Sequence, residues 1–257
     1  MKTIVRQLAA SLGYEIKRKT SLAEPGSLGL AGGFQSYHYL RHNARRLEHL
    51  ASLGIPVAGM TVLEVGAGIG DHTEYYLDRS CDITITEARS RNIDVLLSRY
   101  PSKKVVHLDL ERPTPIGGAP FQVVHCYGLL YHLKNPEQAL QFLSDNCLQL
   151  LFLETCVSFG REKAVNLVSE NNADVTQALS GVGCRPTRPW LFEQLQRHFA
   201  YVYCTRTQPN HEEFPLNWTA PEKHTHGLQR GVFVASRLAL DSDVLSPTLL
   251  DTQTRHP

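Results

Sequence analysis

The sequence predicts an α/β domain built on a mostly parallel sheet, and three observations carry that expectation. From residue 60 onward, short apolar runs alternate with helix-like or loop segments. The runs, at 61–65, 83–86, 105–108, 123–126 and 150–153, hold few polar interruptions, as strands covered on both faces do. A glycine-rich bend at 66–70 follows the first run, where a strand should end and a helix begin. The chain of 257 residues is long enough for one large domain with its own core.

Taken in order, residues 1–58 read as an N-terminal helical extension. Over 1–19, Ile4, Val5, Leu8 and Leu12 recur at helical spacing against Lys2, Arg6 and Lys17, as in a helix docked on the domain. A membrane-surface helix is the sharper reading, and the lack of Trp or Phe weighs against it. Gly and Ser over 20–35 read as a loop. A second helix is predicted over 36–54, with Leu40, Leu47, Leu50 and Leu53 on one side and Arg41, Arg45 and Arg46 around it. That basic face is either solvated or placed to meet a phosphate. Within the main domain, 59–237, Asn135-Pro136-Glu137 starts a helix: a capping side chain, a pre-set φ and an acid in the first turn. Later strands are expected at 201–205 and 232–236, with substrate loops over 156–200 and 205–229. Residues 238–257 lack periodicity and are expected to form a flexible tail.

Charge excludes an overtly basic protein: Lys plus Arg minus Asp plus Glu is 26 − 25 = +1. The first 50 residues carry a local 8 − 3 = +5, which leaves about −4 for the rest. No apolar run approaches the ~18 residues of a membrane span, and the start shows no secretory signal. Six scattered cysteines without a CxxC pair suit reduced thiols in a cytoplasmic protein. His211, His224 and His226 match no zinc spacing, so no metal is expected.

The chemistry concentrates in Leu63-Glu64-Val65-Gly66-Ala67-Gly68-Ile69-Gly70. Glycines at a strand end let the backbone turn sharply and approach a ligand closely. The spacing is GxGxG, and Asp71 stands where GxGxxG would require glycine. A carboxylate at Glu64 poorly serves a pyrophosphate, which counts against a nicotinamide dehydrogenase, and suits a cationic ligand. Glu87 closes the second run, 21 residues after Gly66 (87 − 66), where an acid meets a ribose diol. Asp109 closes the third run, placed to accept from an exocyclic adenine amine. Each acid alone reads equally well as a solvated strand end; three on successive strands argue against coincidence.

These residues resemble the class I S-adenosylmethionine-dependent methyltransferases, over about 60–155 most closely. The resemblance implies a Rossmann-like, seven-stranded, mostly parallel sheet with its last strand antiparallel, plus the N-terminal helices. It implies that S-adenosylmethionine is held by Glu64, Gly66, Ala67, Gly68, Gly70, Glu87, Ala88, Asp109, Leu110, Cys126, Tyr127 and Gly128. The segment after the fourth strand faces the transferring methyl in that family, and Leu130-Tyr131-His132 with Asn135-Pro136 resembles small-molecule and tRNA wobble-uridine methyltransferases. Leu153-Glu154-Thr155 resembles the second group. Gln122 stands where the family more often has an acid.

His132 is the candidate catalytic base, because imidazole titrates near neutral pH; a structural histidine is the competing reading. His125, inside an apolar strand, reads as a satisfied core residue. Tyr131, Arg185, Arg188, Trp190 and His211 are candidates for the substrate wall, since Arg, His and aromatics gather there in loops. The expected reaction is methyl transfer to an O or N of a small metabolite, in natural-product or sugar-related biosynthesis. An RNA-modifying enzyme and a non-catalytic cofactor-binding protein remain as alternatives. No motif speaks to oligomeric state.

Overall fold

The computed structural model describes residues 33–257; the helix expected over 1–19 and most of the loop over 20–35 lie outside the described residues. Helix α1 (Tyr37–Ser52) leads into β1 (Thr61–Val65), α2 (Thr73–Leu77), β2 (Asp82–Glu87), α3 (Ser90–Arg99) and β3 (Lys104–His107). Then come β4 (Phe121–Tyr127), a 3-10 turn Leu130–His132, α4 (Pro136–Asp145) and β5 (Cys147–Cys156). A hairpin of β6 (Val165–Ser169) and β7 (Val182–Pro186) precedes α5 (Arg188–His198) and β8 (Tyr201–Thr205). The chain finishes with β9 (Thr207–Gln208), β10 (Arg230–Ser236), β11 (Leu245–Ser246) and β12 (Thr254–Arg255).

Eight strands form the central sheet in the order β11-β8-β10-β5-β4-β1-β2-β3. Neighbours among β1 to β5 are parallel, and β10 is antiparallel to both β5 and β8. This is the expected seven-stranded sheet with its last long strand reversed, plus a two-residue edge strand, β11. The reversal of β10 lets a strand late in the chain enter between two earlier ones.

The apolar runs follow from covering both faces. Along β1, Val62 and Leu63 are both fully buried but belong to different hydrophobic clusters. Leu63 joins Val124, Leu151 and Phe233 under α4 and α5, whose Leu140, Leu143, Leu191 and Leu195 complete that layer. Val62 joins Val123, Phe152 and Val234 with Leu50 of α1, Tyr76 of α2 and Leu96 of α3. A single-faced strand would alternate with polar residues.

Three expectations are corrected. On α1 the buried residues are His42, Asn43, Arg46, His49 and Leu50, while Leu40 is exposed. The helix turns a polar side inward because it closes the site rather than the core alone. The Asn135 side chain makes no capping bond at α4, where Pro136 occupies the first turn. Residues 238–257 are not a free tail: β11 pairs with β8 and β12 with β9. Gln253 is buried and its Oε1 accepts from Trp218 Nε1 at 2.7 Å and Gln208 Nε2 at 3.0 Å. Two-residue strands carry no periodicity, so tertiary pairing alone reveals them. Among the described residues, no helix is long and apolar enough to cross a membrane.

Candidate functional site

The C-terminal ends of β1, β2 and β4, with the segment after β3, open on a cavity of about 290 Å³. At the end of β1 the backbone turns through Gly66, whose φ is +72°. A Cβ there would stand 2.7 Å from Leu129, so only glycine lets the bend close on that side chain. The Gly68 N–H donates to Glu87 Oε2 at 2.9 Å, and Glu87 Oε1 accepts from the Ala88 and Arg89 amides, each at 2.9 Å. The carboxyl at the end of β2 is therefore fixed against the bend. Burial raises its pKa above the ordinary carboxylate value, and these three bonds oppose the rise. Asp109 and Leu110 line the same cavity beyond β3.

Other members of the sequence-predicted set stand elsewhere. Glu64 is buried behind the bend, accepts from Thr73 Oγ1 at 2.6 Å, and is pushed by burial to about 8. That rise favours the uncharged form over the negative charge the motif suggested. Glu64 and Ala67 border a smaller, 20 Å³ pocket. Gly70 turns away, its carbonyl accepting from Tyr100 OH at 2.7 Å. Cys126 points into the core cluster. Arg188 stacks 4.1 Å from the Trp218 ring and donates to Leu250 O, Trp190 packs against the core, and His211 is buried one layer behind the cavity.

The structure does bring Tyr127, Gly128, Tyr131, His132 and Arg185 to the cavity with the bend. His132 ends the 3-10 turn, and its Nδ1 lies 2.5 Å from Glu170 Oε2. Arg185 Nη2 and the Ala178 amide hold Glu170 at 3.1 and 2.7 Å. Burial lowers the His132 pKa below the ordinary imidazole value, with Glu170 opposing. Both Glu170 and Arg185 sit on or beside the β6–β7 hairpin. His125 is the core residue its strand position implies, bonded to His72 at 3.1 Å and Tyr76 OH at 2.9 Å.

Sequence reasoning missed the roles of Arg46, Glu154, Glu213 and Arg230 in a buried ion network. Glu154, fully buried in β5, accepts from Arg46 Nη1 at 2.9 Å and Arg230 Nη1 at 3.1 Å. Arg230 also donates to Glu213 Oε2 at 2.6 Å and to Tyr131 OH at 3.2 Å. A signal existed: Glu154 interrupts an apolar strand, and a buried carboxylate needs a cationic partner. Arg46 Nε is buried without a partner among the described residues, as are His72 Nε2 and Tyr127 OH. The partnerless Arg46 Nε at the foot of the bend suits a carboxylate-bearing ligand such as the methionine end of S-adenosylmethionine.

The sequence profile of the methyltransferase domain family matches residues 36–226. The chain belongs to this family, within the class I S-adenosylmethionine-dependent methyltransferases. It is thus a methyltransferase whose cofactor is S-adenosylmethionine. The fold is shared with solved structures. The N-terminal domain of EvdMO1 with SAH bound superposes with a TM-score of 0.58 at 18% identity, covering 92% of this chain and 97% of that one. The same domain in the presence of SAH and D-fucose gives 0.57 at 20% identity over 78% and 84%. Magnesium protoporphyrin IX methyltransferase from Synechocystis PCC 6803, with bound SAM, gives 0.53 at 13% over 92% and 97%. No curated protein sequence matches the chain significantly.

Proposed function

We propose that this methyltransferase moves a methyl group to an O or N atom of a small metabolite, with His132 as the base. The observation that carries this reading is the His132–Glu170 pair on the cavity wall. Glu170 occupies Nδ1, so the ring is oriented and Nε2 is left to take a proton. Bound S-adenosylmethionine supplies a methyl on a sulfonium, already activated for displacement. Gly66 and Gly68 bring backbone close to the cofactor, Glu87 takes its ribose, and Asp109 with Leu110 faces its adenine. Arg46 takes its carboxylate, and Tyr127 with Gly128 borders the methyl. Tyr131 and Arg185 shape the acceptor end and exclude water there.

A small acceptor is favoured over RNA by where the arginines of α1 are used. Arg41 pairs with Glu212, Arg45 with Glu48 and Arg46 with Glu154. With Arg41 and Arg45 paired and Arg46 buried inside the site, the helix offers little to a phosphate backbone, which RNA binding requires. Incubation with methyl-labelled S-adenosylmethionine and separate panels of hydroxylated metabolites, amines and total tRNA tests this. Label should enter a small molecule; label in tRNA alone would overturn the reading.

His132→Ala should lower turnover by about 10²–10⁴-fold and leave calorimetric cofactor affinity near that of the parent. The sign of the pH effect follows from burial. The base works when neutral, and its pKa lies below 6.5, so activity should persist below pH 6.5 before falling. A midpoint above 6.5 would remove His132 from this role.

A further inference from the structure

His38, His42 and His211 have no part in the chemistry above, yet the fold gathers them. His38 and His42 lie one turn apart on α1, so they share a face. Their rings stand 5.1 and 4.8 Å from the His211 ring, which comes from the segment between β9 and β10. Glu213 completes the group: Oε1 lies 3.1 Å from His38 Nε2, and Oε2 lies 3.7 Å from His42 Nε2. Ligand atoms of His42, His211 and Glu213 all lie within 4.8 Å of one another, and so do those of His38, His211 and Glu212. The sequence reading grouped His211 with His224 and His226; the structure puts it with α1 instead.

His42 and His211 are only 4% and 2% exposed. The Nε2 atoms of both are buried and have no hydrogen-bond partner among the described residues. Leaving one polar ring atom dry and unpaired is costly. Two such atoms beside one buried carboxylate are two nitrogens and an oxygen converging within ligand spacing. We propose that His42, His211 and Glu213 bind one divalent first-row transition ion.

Imidazole and carboxylate together suit zinc and its borderline neighbours rather than calcium or magnesium. Glu154, Glu212 and Glu213 face Arg41, Arg46 and Arg230, and Arg255 also approaches the cluster, its Nη1 donating to the His211 carbonyl at 2.8 Å. Arg230 holds Glu213 Oε2, and a carboxylate keeps further acceptor sites for a metal. His211 Nδ1 accepts from the Glu213 amide at a long 3.3 Å. Binding at Nε2 moves the ring proton to Nδ1 and gives up that bond. His38, His42 and Glu213 also line the cavity, so the ion stands in its wall and ties α1 to the segment that carries His211.

The test uses the full chain, stripped with a chelator and desalted. Zinc and cobalt(II) are titrated separately by calorimetry, with thermal melting alongside. One ion should bind per chain and raise Tm. His42→Ala and His211→Ala should each weaken binding by about tenfold or more, consistent with the loss of a ligand, while a His224→Ala/His226→Ala double variant keeps parental affinity. X-ray absorption on the wild-type zinc complex needs no variant and should show at least two imidazoles. Failure of the wild type to bind one ion per chain, fewer than two imidazoles, or loss of the ion only with His224 and His226 would each overturn the proposal.

Discussion

At position 68 the backbone sits at φ +59°, and a Cβ would stand 3.1 Å from the Phe34 ring. A branched side chain would meet strain and the ring together, and it would disturb the amide that holds Glu87. Gly68→Val should therefore abolish cofactor binding, and unchanged calorimetric affinity would remove the bend from the cofactor site. Glu87→Ala should weaken cofactor binding by about 1–3 kcal/mol, the scale for losing a charged hydrogen-bond partner. A loss of a few tenths would dismiss its ribose role. At this scale, residue identity in the sequence indicated place well where backbone geometry demands one residue type. Gly66 and Gly68 bend beside the cavity as glycines must, and Glu87 meets them. Glu64 shows the limit, because a carboxyl's charge depends on burial and on Thr73, neither of which its motif encodes.

Elements were legible where one chain segment carries its own pattern. Strands β1 and β8 occupy the expected residues because both faces of each are covered, which writes an apolar run into the sequence. The β6–β7 hairpin was not legible: its exposure alternates irregularly, and β7 is held by the 3-10 turn and β5. With it went Glu170, the partner of His132. The ion network is the same case at larger separation. Glu154 joins α1 through Arg46 to β10 through Arg230, residues 108 and 76 positions away. Only the folded chain makes them neighbours. Glu154→Ala would leave two buried guanidinium groups short of their shared carboxylate, a loss of about 3–5 kcal/mol for a broken buried pair. Urea unfolding of the variant measures it, and a loss below about 1 kcal/mol, no more than a surface pair, would show that α1 and β10 do not depend on this link.

Across the whole molecule, buried ionisable groups of opposite kind set a stability optimum near neutral pH. Burial lowers the pKa of His49 to about 4 and of His125 to about 3, and lowers that of His72 well below its ordinary value. In the unfolded chain each returns to about 6.5. As pH falls below 6.5 the unfolded state binds protons that the folded state does not, so stability drops on the acid side. Glu64 acts in the other direction. Its folded pKa is about 8, raised first by burial, against an unfolded value near 4.3. Its contribution is complete below the unfolded pKa and is lost as pH rises through 8, because the unfolded chain ionises first. At pH 6.5 an unfolded histidine is still half protonated, so between pH 6.5 and 8 the histidine contribution fades while Glu64 adds an opposing downward slope of up to about 1.4 kcal/mol per pH unit for one proton. Glu64→Gln keeps an acceptor for Thr73, removes that titration and leaves the histidines unchanged, so the stability of the parent should fall relative to that of the variant across the interval. Denaturant titrations of parent and variant at matched pH values decide the matter: equal slopes in the two proteins would show that Glu64 is ionised within the fold at neutral pH.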